Sequence, residues 1–336
     1  MLFRTFAVGV SVLAGLFLVS PLAFAAPLTP ESMLKAHAQT SYSGLLRVTD
    51  HRRSKSVNQR IRVTQAGVRR SRQEFLHPDG RISDLVIRDE TIRWHHSTAS
   101  HSVLVSPISP GFEPQQRLAL LKQNYSFRVL GQLRHLKRLV LLAQFTPRHP
   151  GRLTHRLWVD QVERLPLVIE RRGAQGQLID RSEFLGVRFS PRIQPDALKF
   201  SLPLGARVQS IHTVLAQGGA QTPFPKVFTW RPLPPRQLPA GYQLLDWQYF
   251  LDRHSIPTVV WRYHDGLGLL SCFATASEHQ ARPPVAAKTI TLGRFSAFEF
   301  GHEQRQVLMW RTDDTAYTMM GEVPPDALRT AAHSTY

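Results

Sequence analysis

The 336-residue chain has a single cysteine, Cys272, so no disulfide within the chain is available and stability must come from buried apolar area. Cys272 lies in the apolar run Leu269-Leu270-Ser271-Cys272-Phe273 and reads as a small buried hydrophobe. Beyond the N-terminal residues there is no apolar stretch of about 18 residues, so a membrane-spanning helix in the body of the chain is excluded. Nucleotide and hydrolase signatures are missing as well. Gly266-Leu267-Gly268-Leu269-Leu270-Ser271 lacks the third glycine and the lysine of a phosphate loop, and no G-x-S-x-G elbow occurs. No paired carboxylates suited to glycoside chemistry stand out, and Asp313-Asp314 reads as ordinary turn chemistry. The expectation is a binding protein, not an enzyme, with no cofactor.

Acidic residues are scarce, at 24 Asp and Glu against 42 Lys and Arg, for a net charge of +18. The imbalance is local. Up to Pro225 there are 31 basic and 14 acidic residues; from Lys226 onward there are 11 and 10. The densest basic groups are Arg52, Arg53 and Lys55 in one turn and Arg69, Arg70 and Arg72 near the next. They are the candidate site for an anionic ligand such as a lipid headgroup or lipopolysaccharide. Nucleic acid is not expected, because the N-terminus reads as an export signal. Arg4 is followed by an apolar run over residues 6–19, then Pro21 and the A-x-A sequence Ala23-Phe24-Ala25. Cleavage is expected after Ala25 or Ala26, and no nearby cysteine offers a lipid anchor.

Residues 30–39 pattern as a helix, with Leu34 and Ala38 four apart on one face. Strands then follow one another through polar turns, including the D-G turn at Asp79-Gly80 and the turn Gly173-Ala174-Gln175-Gly176. Short connections require antiparallel neighbours, so residues 26–205 read as one large curved antiparallel sheet with a few helices. Residues 206–225, rich in Gly, Gln and Pro, have linker composition. Residues 226–336 read as a smaller α+β domain, with a hairpin turn at residues 312–315 and a helix opening at Pro324-Pro325. Trp94-His95-His96 with His101 is the densest histidine group. Adjacent strand residues point to opposite faces, so no metal site is expected there. The tryptophans at 158, 230, 247, 261 and 310 read as core or cavity lining.

Several short motifs occur in order. They are Tyr42-Ser43-Gly44; Leu157-Trp158-Val159-Asp160 followed by Leu165-Pro166-Leu167 and Gly176-Gln177-Leu178; Leu238-Pro239-Ala240-Gly241-Tyr242; Tyr263-His264-Asp265-Gly266-Leu267; and Gly321-Glu322-Val323-Pro324. Together they resemble the RseB/MucB family of periplasmic sigma-E regulators over nearly all of the mature chain, with His264 where that family has serine. The resemblance implies an N-terminal half-barrel similar to LolA and LolB with an apolar concavity, and a smaller C-terminal domain. It also implies a periplasmic location and a role as negative regulator. The partner would be a membrane anti-sigma factor of the RseA/MucA type, shielded from proteolysis until lipopolysaccharide or lipoprotein acyl chains relieve the shielding. On that basis Leu45, Ile61, Val63, Val86 and Leu120 are expected to line the cavity, and Tyr263, His264 and Asp265 to touch the partner. A periplasmic lipid or lipoprotein carrier of the LolA type is the alternative.

Overall fold

A computed structural model describes residues 27–51, 56–108, 113–210, 213–219, 222, 230, 232–252, 254–279, 281–302 and 305–335. The expected export signal lies outside these residues. Helix α1 (Pro30–Gln39) starts where the sequence places it. Thr29 caps it, its hydroxyl accepting from the Ser32 amide at 3.1 Å, while the Ser32 hydroxyl accepts from the Thr29 amide; Pro30 fills the first turn. Six strands follow: β1 (Tyr42–Asp50), β2 (Val57–Ala66), β3 (Arg70–Leu76), β4 (Ile82–Asp89), β5 (Ile92–Ser97) and β6 (Ser102–Pro107). Helix α2 (Pro114–Asn124) then leads to a second meander: β7 (Tyr125–His135), β8 (Arg138–Pro147), β9 (Thr154–Asp160), β10 (Pro166–Arg172) and β11 (Leu178–Phe189). The two meanders join where β1 pairs with β11. With β12 (Arg207–Ser210) they form one 12-stranded sheet, whose edges are β12 and β7. These edges do not meet, so the barrel stays open, as expected from the sequence.

The joint between the meanders explains one motif. Gly44 pairs with Val187 across β1 and β11, and a side chain at Gly44 would press on the Gly186 carbonyl and the Phe184 ring. The register shifts by one residue between Leu45 and Leu46, which bends the sheet at its middle. A second motif closes the β9–β10 turn. Asp160 accepts from the amides of Val162 at 3.0 Å and Glu163 at 2.8 Å, and it pairs with Arg138.

Cross-strand register sorts the side chains onto two faces. The concave face carries Val48, Ser182, Ile169 and Leu157 in one row and Asp50, Asp180, Arg171 and His155 in the next. The convex face carries charge. Arg47, Glu183, Arg181, Glu170 and Arg172 form a ladder of ion pairs, and Arg62, Glu74 and Arg72 form a second. Burial opposes ionisation of Glu74, but hydrogen bonds from Arg72 and Arg62 outweigh it and hold the carboxyl below its ordinary value. Trp158 lies under Arg181, whose guanidinium stands 4.4 Å above the ring. Near β12, a short 3-10 turn (Pro195–Leu198) buries Leu198 and leads to Phe200, which stacks on Trp94 at 5.8 Å.

The second domain is an eight-stranded antiparallel sheet. Its strands are β13 (Thr213–Gly219), β14 (Gln243–Leu251), β15 (Pro257–His264), β16 (Leu269–Ala276), β17 (Lys288–Leu292), β18 (Phe295–His302), β19 (Arg305–Arg311) and β20 (Thr315–Gly321). Helix α3 (Pro325–His333) buries Leu328, Ala331 and Ala332 against Trp261, Trp310 and Cys272. The stretch read as a linker differs from that reading: β12 pairs parallel with β6, and β13 pairs antiparallel with β14. Its composition favours turns, but the unpaired backbone at each sheet edge accepts any chain running alongside it.

Trp310 is fully buried, stacks on Tyr317 at 4.9 Å, and donates from Nε1 to the Thr335 hydroxyl at 3.2 Å. Trp310→Ala is expected to cost about 3–5 kcal/mol, read as a lowered urea midpoint. An unchanged midpoint would contradict the assignment of Trp310 to the core.

Candidate ligand cavity and domain seam

Helices α1 and α2 lie over the concave face and leave a cavity of about 610 Å³. Its apolar lining comes from Met33 and Leu34 of α1, Leu121 of α2, and Phe145, Leu157 and Ile169 of the sheet. Polar groups sit on the same wall: His37, Arg117, His155, and Arg171 with Asp180. One lining residue, Leu267, belongs to the other domain. An apolar pocket of this size with a few convergent polar groups suits an amphiphilic small molecule, for which volumes of about 300–1,000 Å³ are usual.

Leu267 reaches the cavity because the β15–β16 turn is docked against α2. Gly266 adopts φ +110°, and a Cβ there would lie 2.9 Å from the Leu121 amide, so only glycine permits the approach. Asp265 beside it is 1 % exposed. One carboxylate oxygen accepts from the amides of Leu267 at 3.0 Å and Gly268 at 2.6 Å, which shapes the turn. The other accepts from the Tyr125 hydroxyl at 2.8 Å and from Arg152 of the first domain. Arg152, itself buried, also donates to the Ala240 carbonyl and lies 4.6 Å above the Tyr242 ring. Asn124, fully buried, donates to the carbonyls of Gly241 and Asp265, both at 2.9 Å. Further along the seam, Arg171 bridges Asp180 of its own domain and Glu322 of the other.

Two histidines are held neutral here. Burial, with the charge of Arg171 added, lowers His155 from its ordinary 6.5 to about 4. His264 is likewise lowered to about 4 by burial and then by Arg117, and its Nδ1 accepts from the Gly266 amide at 2.7 Å, which a protonated nitrogen cannot do.

The residues expected from sequence fall elsewhere. Ile61, Val63 and Val86 do share the concave face, and Ile61, Val63 and Leu120 are buried, but none of them lines the cavity. Leu45 pairs with Arg62 and Glu183's partner Arg47 is two residues on, so Leu45 belongs to the convex, charged face. The cavity lies over β1 and β8–β11, beside the cluster in which Met33, Leu34 and Leu121 of the helices pack with Phe145, Leu157 and Ile169. Arg52, Arg53 and Lys55 lie outside the described residues. Arg69, Arg70 and Arg72 are each paired with a carboxylate, Glu90, Asp89 and Glu74 respectively. Tyr263 is buried in the core of the second domain, Asp265 is buried at the seam and His264 is half-buried beside it. Sequence reasoning missed Arg152, Asn124 and Leu267. The one available signal is the motif Tyr263-His264-Asp265-Gly266-Leu267, whose glycine marks the docking point. His95 pairs with Asp84 at 3.0 Å, and among the described residues no cluster of His, Cys, Asp or Glu is placed to hold a metal.

The MucB/RseB N-terminal domain family matches residues 30–202, half of the chain and nearly all of the half-barrel. The chain belongs to the MucB/RseB family. Solved structures extend the likeness in fold to both domains. The Pseudomonas aeruginosa MucA/MucB complex aligns with a TM-score of 0.55 and 20% identity, over 90% of this chain and 94% of that one. A crystal structure of MucB aligns with a TM-score of 0.54 over the same shares of each chain. No curated protein matches the sequence. The motifs that carried the resemblance now have a physical meaning in this MucB/RseB-family chain. Gly241, Asp265-Gly266 and Glu322 all lie on the seam between the domains.

Asp265→Ala removes the counter-ion of a buried guanidinium and the acceptor of Tyr125. A loss of about 3–5 kcal/mol is expected, with urea unfolding splitting into two transitions; the double variant Arg152→Met with Asp265→Met should recover part of it. A single unshifted transition in Asp265→Ala would refute the seam's role. For pH, the folded state resists protonating His155 and His264, whereas the unfolded chain takes the protons near 6.5. Stability is therefore fully present above about pH 6.5 and is lost as pH falls toward 4. His155→Gln should flatten that slope in urea melts between pH 4 and 7; an unaltered slope would exclude His155 as its source.

Proposed function

We propose that this chain is a periplasmic negative regulator of an extracytoplasmic sigma factor. It binds the periplasmic segment of a membrane anti-sigma factor, shields that segment from proteolysis, and responds to a lipid or lipoprotein ligand in the half-barrel. Membership of the MucB/RseB family and the shared fold with MucB solved in complex with MucA(peri) support the binding role. The observation that carries the sensing role is Leu267. It lines the cavity, and it stands two residues from the carboxylate that joins the domains. A ligand needing the space of Leu267 favours an arrangement in which the turn is displaced, and that difference in affinity between arrangements is what shifts a population. No enzymatic step is invoked. The alternative, a lipid or lipoprotein carrier, draws on the same apolar cavity.

The test is affinity for the periplasmic segment of the anti-sigma factor encoded beside this gene, with and without saturating lipopolysaccharide or a lipopeptide. A coupling of about 1–3 kcal/mol weakens binding roughly 5–150-fold. Unchanged affinity under ligand would leave a binding protein and remove the sensor. No affinity for the segment, with lipid transfer between vesicles, would establish the carrier.

A further inference from the structure

Most arginines of the half-barrel that are partly withdrawn from water meet a carboxylate: Arg47, Arg72, Arg138, Arg152, Arg171 and Arg181 all do. Arg117 and Arg88 do not. Arg117 projects from α2 into the cavity, and its Nε donates to the Gly266 carbonyl at 3.2 Å. Arg88 lies on the concave face, opposite Ser71 on β3 and Arg93 on β5. Its Nε is buried without a hydrogen-bond partner. His37 of α1, on the cavity wall, lies within the field of both guanidinium groups. Among the described residues no carboxylate pairs with Arg88 or Arg117. Burial lowers both guanidinium groups from their ordinary value, and for Arg88 the charge of Arg93 adds to it. Unpaired charge drawn out of water is unfavourable, and an anion placed here would relieve it.

We infer that Arg117, backed by Arg88, binds the single anionic head, phosphate or carboxylate, of an amphiphile whose chain lies in the apolar part of the cavity. This rests on the lipid-binding reading above and gives it a head-group chemistry and residues. It also gives the anion a consequence. An anion held by the Arg117 guanidinium is linked through the Nε bond to the Gly266 carbonyl of the inter-domain turn, a link that a neutral ligand of the same length does not make. The site differs from Arg69, Arg70 and Arg72, because those already hold carboxylates.

The experiment is calorimetric titration of the full mature chain with dodecyl phosphate, dodecanoate and dodecanol. The wild type is expected to bind one or both anions at least about tenfold more tightly than dodecanol, or about 1.4 kcal/mol; whichever anion has the larger advantage names the head group. Arg117→Met should lose that advantage and keep its affinity for dodecanol. Arg117→Lys should retain part of the advantage, and Arg88→Met should reduce it. Equal affinity of the wild type for all three compounds, or an advantage undiminished in Arg117→Met, overturns the site while leaving a lipid-binding cavity. Loss of dodecanol binding in both Arg117 variants overturns it too, since that marks a structural role. Binding of none of the three by the wild type overturns both the site and the lipid reading.

Discussion

Asp265 is almost wholly withdrawn from water, and its carboxylate takes two backbone amides from its own turn and two side-chain donors from the neighbouring domain. A buried carboxylate is tolerable only when its lone pairs are occupied by well-placed donors and a cation stands beside it. Tyr125 and Arg152 meet that requirement only while the domains are docked, so the ion pair ties the shape of one turn to the position of a whole domain. Arg152 is under the same constraint in reverse, being buried with the Ala240 carbonyl and the Tyr242 ring as its other neighbours. The seam is thus polar, specific in geometry and intolerant of partial opening. Those properties suit an element with two discrete arrangements more than one that yields gradually.

The cavity inherits its character from that seam. Without the docked turn, Leu267 would not line it and Arg117 would have no hydrogen-bond partner among the described residues. The basic excess of the chain also takes on a different meaning in three dimensions. Much of it is consumed by cross-strand ladders on the convex face, where Glu74, Glu170 and Glu183 each receive two arginines. What matters for an anionic ligand is which arginines remain without a carboxylate in a place a ligand reaches.

The expectations drawn from sequence succeeded where physics is local. Helix α1 follows from a cap, a proline and a four-residue spacing, and the meanders follow from alternation and turn residues. They failed where the answer depends on what lies across a gap. Alternation shows that Ile61 and Val63 share a face, but not that the helices pack with Leu157 and Ile169 and that the cavity opens there. The one-residue shift beside Leu45 and the pairing of β12 with β6 leave no composition signal, because both depend on which backbone happens to run alongside.

By itself, then, the sequence determined the class: two antiparallel α+β regions without disulfides, joined in the order of a recognisable set of motifs. Only the tertiary structure decided what those motifs are for. Asp265 is expected from the sequence to touch a partner, but its own partner within the chain is Arg152, more than a hundred residues earlier. Arg117 and Arg72 look alike in the sequence, yet one has a carboxylate on the neighbouring position of its strand and the other faces a cavity. Charge is written into the chain residue by residue, but whether it is neutralised depends on distances that folding alone sets.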